Sequence, residues 1–273
     1  MTWNEAEPVD LPAPPWGQRA LGSLRLTLAI LVTVICFLPF VIGRASRRFF
    51  GLRIGLDVLA DRIWARCCVW LLGLRLEVHG RPVRAGALVA NHSSWSDIVV
   101  LRAVHWIYFV SKADVAAWPG VGLLARAAGT VFIERRRVEA KRQEQVLRER
   151  IAADQLLCFF PEGTSTDGLR VLPFKSSLFS VFFGEGADRE IWVQPVSIRY
   201  LPRDGSGLPE NFFGWWGTMP FGAHVKSVMQ WNYGGRAVIR FLDPVHPSEF
   251  ADRKTLSDHC QAMVAQGHSN SAV

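Results

Sequence analysis

The sequence predicts an α/β fold, in which helices cover a mostly parallel or mixed β-sheet and an N-terminal membrane-embedded helical segment precedes the sheet. From residue 75 onward, short apolar segments that suit strands alternate with helical ones, and several are apolar throughout, as expected when both faces of a sheet are buried. Before them, Leu26–Gly43 is an uncharged apolar run of eighteen residues. Apolar residues make up 49% of the 273, enough for a large core, so extensive disorder is excluded.

The first 74 residues are predicted to form a disordered leader over 1–18 and a membrane-associated helical segment over 19–74. The leader is Pro-rich, acidic and without periodicity. The apolar run lies at the lower limit for crossing a bilayer, which needs about 20 residues, and Pro39 is expected to kink or end its helix. A cleaved signal peptide fits poorly, because no small-residue cleavage site follows. Re-entrant insertion and burial in a core are the alternatives to spanning.

Arginines next to the apolar run set the expected orientation. They follow it at positions 44, 47, 48 and 53, and basic residues beside a membrane segment favour the cytoplasmic side. We therefore predict a protein of the inner (cytoplasmic) membrane, with the following domain on the cytoplasmic face. Residues 55–74 form a second helical candidate, which packs on the domain or lies in the membrane interface. Its charged residues are expected to face water: Asp57, Asp61, Arg62 and Arg66.

Residues 75–273 are predicted to form the α/β domain. Strands are predicted at residues 75–80, 87–90, 106–112, 129–135, 155–163, 191–200 and 236–245. Helices are predicted at 113–128, with a break at Pro119-Gly120, and at 136–153, and a further helix begins near residue 97. Pro195 predicts a sheet edge or a bulge for its strand. Polar clusters follow the second, fourth and fifth strands, so the ligand site is expected beyond their carboxyl ends.

The first polar cluster, Asn91–Asp97, contains a histidine and an aspartate five residues apart. On a regular helix the two side chains would point about 140° apart, so they meet only if His92 lies on the strand-to-helix loop and Asp97 on the first helical turn. Ser93 or Ser94 is expected to cap that helix. Asp97 would then hold one imidazole nitrogen and leave the other as a general base, without a serine nucleophile. A structural loop histidine is the alternative.

The second cluster, Gly129–Arg135, ends a strand in an arginine. A guanidinium at that place can bind a phosphate or carboxylate in a bidentate way. Arg136 and Arg137 follow it at the start of a helix, where positive charge opposes the helix dipole, and an anionic ligand would relieve the conflict. A solvated basic face is the alternative.

The third cluster, Phe160–Ser165, follows an apolar strand and contains a glycine turn with hydroxyl side chains. Backbone N–H groups in such a turn can face an anion. Glu162 is expected to bind a substrate hydroxyl or to orient the loop, and a plain turn is the alternative. The other predicted substrate-binding residues here are Gly163, Thr164 and Lys175, with Arg170 as a further basic candidate.

Charge and cysteine content exclude several classes of function. The formal charge of +7 suits an anionic membrane face or anionic substrates. Since the sequence has no nucleic-acid-binding motif, no nucleic-acid partner is predicted. The five cysteines are odd in number and lack metal-ligand spacing, which predicts buried thiols in a reducing compartment. No metal site and no cofactor are predicted, and a thioesterase or other hydrolase is disfavoured because no G-x-S-x-G nucleophile elbow is present.

Four segments in this order and at these separations resemble the sequence blocks of the glycerolipid acyltransferase family: Asn91–Asp97, Gly129–Arg135, Phe160–Thr164 and Val193–Ser197. The family patterns are N-H-x4-D, G-x-x-F-I-x-R, F-P-E-G-T and a Val-Pro strand, and the resemblance covers about residues 75–200. It implies His92 as general base with Asp97 as its partner. It further implies Arg135, Glu162 and Gly163 as acceptor-binding residues.

The resemblance implies transfer of a fatty acyl group from acyl-CoA or acyl carrier protein to the free hydroxyl of a lysolipid. The acceptor expected first is 1-acyl-glycerol-3-phosphate, which would give phosphatidic acid in phospholipid biosynthesis. One departure favours a second acceptor: Ser165 stands where phosphatidate-forming members commonly have arginine, and this version of the motif is similar to relatives that acylate lyso-ornithine lipid. A non-catalytic membrane lipid-binding protein is the alternative from a different class.

Overall fold

The computed structural model describes residues 3–7, 9, 11–52, 54–134, 139–184, 187–188, 190–231 and 234–271. Its sheet contains the strands β1 (Leu74–His79), β2 (Gly86–Ala90), β3 (Tyr108–Lys112), β4 (Val131–Ile133), β5 (Leu156–Phe159), β6 (Val193–Leu201) and β7 (Gly235–Phe241). They lie in the order β1-β7-β6-β2-β5-β3-β4. Neighbouring strands are parallel except β6 and β7, which are antiparallel. The predicted α/β class with a mixed sheet is confirmed.

Helices cover both faces of this sheet. They are α1 (Trp16–Phe50), α2 (Leu56–Leu71), α3 (Ser96–Val104), α4 (Val121–Ala127), α5 (Ala140–Ala152), α6 (Phe221–Trp231) and α7 (Arg253–Ser269), with 3-10 helices at Ala113–Ala117, Ser176–Phe182 and Pro247–Glu249. Side chains alternate along a strand. Leu88 and Ala90 of β2 therefore belong to the core closed by α2, α3 and α6, while Ala87 and Val89 belong to the core closed by α5 and α7.

Pro195 lies in β6, between β2 and β7, so the edge position predicted for it is wrong. In a strand, the N–H and C=O of one residue point to the same side. The Pro195 carbonyl accepts a hydrogen bond from Leu242 N on the β7 side, at 3.0 Å. Since the pairing of β6 with β7 begins only at Val196, the missing N–H falls just outside the ladder and an interior strand tolerates the proline.

The helix α1 is, among the described residues, the one long and apolar enough to cross a membrane. Many of its apolar side chains are exposed, with Val34 at 64% and Leu38 at 65%. This exposure argues against a core helix and indicates membrane association. Pro39 does not end the helix, which continues to Phe50 and stops at Gly51 in the left-handed conformation.

The two acidic residues of α2 contradict the prediction, whereas Arg62 and Arg66 are exposed as predicted. Asp57 and Asp61, expected to face water, are 0% and 6% exposed, whereas Ile63 and Trp70 are 47% and 74% exposed. Asp57 binds Arg47 of α1 at 2.9 Å. Ion pairs therefore attach α2 to the protein, and its apolar side chains remain available to a lipid interface. The alternative in which α2 packs on the domain is confirmed, and a lipid interface for its exposed face stays a prediction.

Several shorter elements differ in length from their predictions. The break at Pro119-Gly120 does separate a 3-10 helix from α4. The strand predicted at 129–135 has only the three residues of β4, and residues 135–138, which include Arg135, lie outside the described part of the chain. The helices α6 and α7 are not among the elements predicted from the sequence.

Part of the leader packs against the domain. Residues Trp3–Ala6, which we call the N-terminal strap, lie next to the third polar cluster, and Trp3 is 7% exposed. Leu11 packs against the core, and α1 begins at Trp16, two residues before the predicted boundary at 18. The division of the chain at residues 18 and 74 stays a prediction.

The buried ion pair between Asp61 and Arg102 provides a test of how α2 is attached. Arg102 Nη2 lies 2.6 Å from Asp61 Oδ1, and both side chains are at most 7% exposed. Asp61→Ala leaves a buried guanidinium without its partner, so we expect the free energy of unfolding to fall by about 3–5 kcal/mol. Chemical denaturation of the detergent-solubilised protein measures this, with the exposed neighbour Arg62→Ala as the control. Equal stability of the two variants would contradict the assignment.

Candidate active site

His92 and Asp97 meet where β2 ends, in the geometry that their spacing requires. His92 lies on the loop after β2, and Asp97 is the second residue of α3. His92 Nδ1 and Asp97 Oδ2 are 2.7 Å apart. The same Oδ2 accepts hydrogen bonds from Ser93 N at 2.8 Å and Ser94 N at 3.0 Å. The expected serine cap is wrong: the serines contribute backbone N–H groups, and the carboxylate of Asp97 reaches back to accept them.

The imidazole of His92 is held in one orientation. Its ring stacks on Phe160, with the ring centres 4.2 Å apart and the planes inclined by 18°. The carboxylate of Asp97 accepts only, so Nδ1 carries the proton and donates it. In the neutral ring, Nε2 is then an unprotonated acceptor, and the side chain remains 20% exposed. This is the arrangement of a general base that a substrate can reach.

Tyr200 is a residue of this site that the sequence analysis missed. Its hydroxyl donates to Asp97 Oδ1 at 2.8 Å, so Asp97 accepts hydrogen bonds on both oxygens. Burial, and the negative charge of Asp97 after it, raise the pKa of Tyr200 well above its usual value, which keeps the hydroxyl protonated. Because Tyr200 is far from Asp97 in the sequence, no local pattern indicates that they are in contact. The contact becomes evident only when β6 is paired with β2.

Asn91 fixes the loop that carries His92. Its side-chain amide donates to Ile198 O and accepts from Ile198 N, both at 2.8 Å. The amide thereby continues the ladder between β2 and β6 beyond the last residue of β2, at Ala90. This contact explains why an asparagine precedes the histidine in the first cluster.

Glu162 orients the backbone of the catalytic loop. Its side chain is 2% exposed, and its two oxygens accept hydrogen bonds from His92 N at 3.3 Å and Leu172 N at 3.2 Å. Burial raises the pKa of this carboxyl well above its usual value, more than the two backbone donors lower it. The contacts support the loop-orienting alternative of the prediction for Glu162 rather than direct contact with a substrate.

The turn at Gly163 and Thr164 carries the other predicted binding residues. Gly163 has a φ of 70°, a conformation that favours glycine, and a Cβ there would lie 2.6 Å from Lys175 Nζ. Lys175 is exposed. Thr164 Oγ1 accepts a hydrogen bond from Trp3 N of the strap. The structure therefore places three of the predicted binding residues together, beside His92.

The loop after this turn attaches to His92 a second time. Thr166 N donates to His92 O at 3.0 Å, opposite the contact that Glu162 makes with His92 N. His268 of α7 supports the same loop, because its Nε2 donates to Gly168 O at 3.0 Å. The described residues contain no group of three or more histidine, cysteine, aspartate or glutamate side chains that could hold a metal ion.

Comparison with known proteins identifies the family. The family model described as Acyltransferase matches residues 75–199. The chain is 48% identical over 265 residues to a lyso-ornithine lipid O-acyltransferase of Rhodobacter capsulatus, covering 97% of this chain and 95% of that protein. A protein of the same name from Brucella abortus is 34% identical, with 87% and 91% covered. The chain belongs to the acyltransferase family.

Two further matches are to enzymes that are named for a different acceptor. A 1-acyl-sn-glycerol-3-phosphate acyltransferase of Neisseria gonorrhoeae is 38% identical over 139 residues, which cover 49% of this chain and 52% of that protein. The solved 1-acyl-sn-glycerophosphate acyltransferase of Thermotoga maritima superposes with a TM-score of 0.64 over 93% of this chain and 98% of that one. Its sequence identity is 22%, so it supports the fold alone. The predicted resemblance and the predicted enzyme class are confirmed.

The hydrogen bond from Tyr200 to Asp97 provides a test of the site. A hydrogen bond to a charged group contributes about 1.5–3 kcal/mol, so its removal in Tyr200→Phe should lower kcat of the acyltransferase by roughly tenfold or more. Steady-state kinetics measure the effect. Tyr108→Phe is the matched control, because the Tyr108 hydroxyl contacts Arg44 and not Asp97. An unchanged kcat in Tyr200→Phe would show that Asp97 does not need this donor.

His268 makes the support of the loop sensitive to acid. Burial first, and the charge of Arg199 second, lower the pKa of His268 from 6.5 to about 4. The stabilisation by the neutral ring is therefore complete above about pH 6.5 and is lost towards pH 4, a change of up to about 3 kcal/mol. His268→Gln should flatten the loss of thermal stability over that range. The exposed His259→Gln is the control, and an equally steep loss in His268→Gln would refute the role.

Proposed function

We propose that this acyltransferase transfers a fatty acyl group to the free hydroxyl of lyso-ornithine lipid. The observation that carries the reaction is the His92–Asp97 pair, an oriented general base that mere lipid binding does not need. The acceptor is favoured by the relatives that match over most of the chain, two of which are named lyso-ornithine lipid O-acyltransferases. Ser165 in the third cluster points to the same acceptor, so this proposal reverses the order of the two acceptors expected from sequence.

His92 acts as the base in the proposed reaction. Nε2 accepts the proton of the lipid hydroxyl while the hydroxyl oxygen attacks the thioester carbonyl. The tetrahedral intermediate then collapses, the C–S bond breaks, and the imidazolium returns its proton to the leaving thiolate. Asp97 stabilises the imidazolium through Nδ1 during the step, and Tyr200 and two backbone N–H groups hold Asp97 in place. No covalent acyl-enzyme is required.

The oxyanion of the tetrahedral intermediate needs donors near His92. In the turn after β5, Gly163 N donates to Phe160 O and Thr166 N to His92 O, so both are already used. Within the described part of the chain, Thr164 N and Ser165 N donate to no protein acceptor. We assign these two N–H groups to the oxyanion. In comparable sites each such donor stabilises the transition state by about 3 kcal/mol.

The second candidate acceptor is 1-acyl-glycerol-3-phosphate, which would give phosphatidic acid. It is favoured by the match to the Neisseria gonorrhoeae enzyme, although that match covers about half of each chain. Arg135 and Lys175 are proposed as contacts for the anionic head group of the acceptor, together with Gly163 and Thr164. The donor is acyl-CoA or acyl carrier protein, both of which are anionic and suit the charge of +7.

The proposed place of the enzyme is the inner membrane, with the domain of residues 75–273 on the cytoplasmic side. The exposed apolar faces of α1 and α2 support insertion or interfacial binding. Arg47 and Arg48 in the last turn of α1 support the cytoplasmic orientation. A membrane location also fits the reaction, since acceptor and product are both lipids.

His92→Ala tests the reaction and its acceptor together. Membranes with the wild type or the variant receive a labelled acyl donor and, in separate reactions, lyso-ornithine lipid or lysophosphatidic acid. We expect transfer to lyso-ornithine lipid that falls by at least about a thousandfold in His92→Ala, because the base is lost. The exposed His79→Ala is the matched control. Transfer to lysophosphatidic acid alone would favour the second candidate acceptor. Full activity in His92→Ala would refute the assignment of His92 as the base.

A further inference from the structure

We infer that the N-terminal strap, Trp3–Ala6, forms one wall of the site for the acceptor head group and places Arg170 to bind the anionic group of that head. The inference rests on the proposed function, because it concerns the acceptor of that reaction. The anionic group is a carboxylate in an ornithine head group and a phosphate in lysophosphatidic acid. Neither Trp3 nor Arg170 lies within the four segments that resemble the family.

The strap is attached at both of its ends. Trp3 N donates to Thr164 Oγ1 at 3.3 Å, on the turn of the third cluster. At the other end, Trp216 Nε1 donates to Ala6 O at 3.0 Å. The rings of Trp3 and Trp216 meet edge to face with their centres 6.1 Å apart. The strap therefore bridges the third cluster and the segment before α6.

Burial distinguishes Trp3 from the rest of the leader. Trp3 is 7% exposed, whereas Glu5 and Glu7 are exposed and Trp16 is 83% exposed. A buried tryptophan removes about 150–250 Å² of largely apolar surface from water, which stabilises the strap against the domain. The site thus gains a wall from a part of the chain that composition alone predicts to be disordered.

Arg170 is held on two sides and open on a third. Its Nη2 binds Asp167 Oδ2 at 2.9 Å, and its guanidinium carbon lies 5.3 Å from the centre of the Trp3 ring. About half of its side chain, 49%, remains exposed. An aromatic ring orients a guanidinium through its face and uses none of its N–H donors, so donors remain for a carboxylate or phosphate.

The loop that carries Arg170 is fixed relative to the catalytic base. Thr166 donates to His92 O through both its backbone N and its hydroxyl. Gly168 packs so closely that a Cβ there would lie 3.3 Å from the Cβ of Ser93. An anion bound at Arg170 is therefore held by an element that is attached to the histidine loop.

The test compares apparent KM values in mixed micelles for three variants of the full chain. Arg170→Ala should raise the KM for lyso-ornithine lipid about tenfold, and Trp3→Ala about fivefold, through loss of the stacked ring. In both, kcat and the KM for the acyl donor should stay within about twofold of the wild type. The double variant should be no worse than Arg170→Ala, because Trp3 acts through Arg170. Trp16→Ala, the same change at an exposed tryptophan, is the matched control.

Three results would overturn the inference while leaving the proposed function intact. These are an unchanged acceptor KM in Arg170→Ala, equal increases in donor and acceptor KM, or an effect of Trp3→Ala that adds fully to that of Arg170→Ala. If Trp3→Ala fails to fold, Trp3→Phe and Arg170→Ala still decide the matter, since the phenylalanine keeps a ring over the guanidinium. The same series with lysophosphatidic acid shows whether Arg170 binds the phosphate instead. A wild type inactive on both lipids would refute the proposed function itself.

Discussion

The carboxylate of Asp97 is the group on which the rest of the site depends. It is fully buried, and a buried carboxylate is tolerated only where donors satisfy its oxygens. Four donors do so: His92 Nδ1, Ser93 N, Ser94 N and the hydroxyl of Tyr200. They come from the histidine loop and from β6, so one charge sets the path of the loop, the tautomer of the imidazole and the position of the neighbouring strand. The carboxylate of Asp97 therefore serves both the proposed reaction and the structure of the site.

The sheet order explains why the histidine loop is held so firmly. β2 lies between β5 and β6, so the loop after it is reached from both sides. From the β5 side, Glu162 accepts from His92 N and Thr166 donates to His92 O; from the β6 side, Ile198 pairs with Asn91. The backbone of the base is thus fixed at its own N–H and C=O. A general base must keep its geometry within a fraction of an ångström, and these contacts provide that without involving the catalytic nitrogen.

The features that could be predicted from the sequence are those that depend on a local pattern or on the order of the strands. The meeting of His92 and Asp97 follows from a spacing that only a loop-to-helix junction allows, and the location of the site follows from polar clusters at strand ends. Tyr200 could not be found in this way, because its contact with Asp97 depends on how far β6 extends past β2. The exposure of Ile63 and the burial of Asp61 were also missed, since the charged residues of the helix were expected to face water, whereas Asp61 pairs with Arg102 inside the protein. The burial of Trp3 was missed because composition describes a segment on average. It predicts disorder for the leader as a whole and gives no sign that one ring anchors it.

The burial of Ser165 bears on how an acceptor is chosen in this fold. Members of the family that form phosphatidate commonly have an arginine at this position, and here the residue is 9% exposed between the Gly163 turn and Thr166. Serine carries no charge, so a cation that serves the same loop must come from another residue. Arg170 is such a cation, five residues further along and held by Asp167 and the ring of Trp3. If the acceptor head group binds at Arg170, as inferred above, the acceptor can change without a change of chemistry at His92.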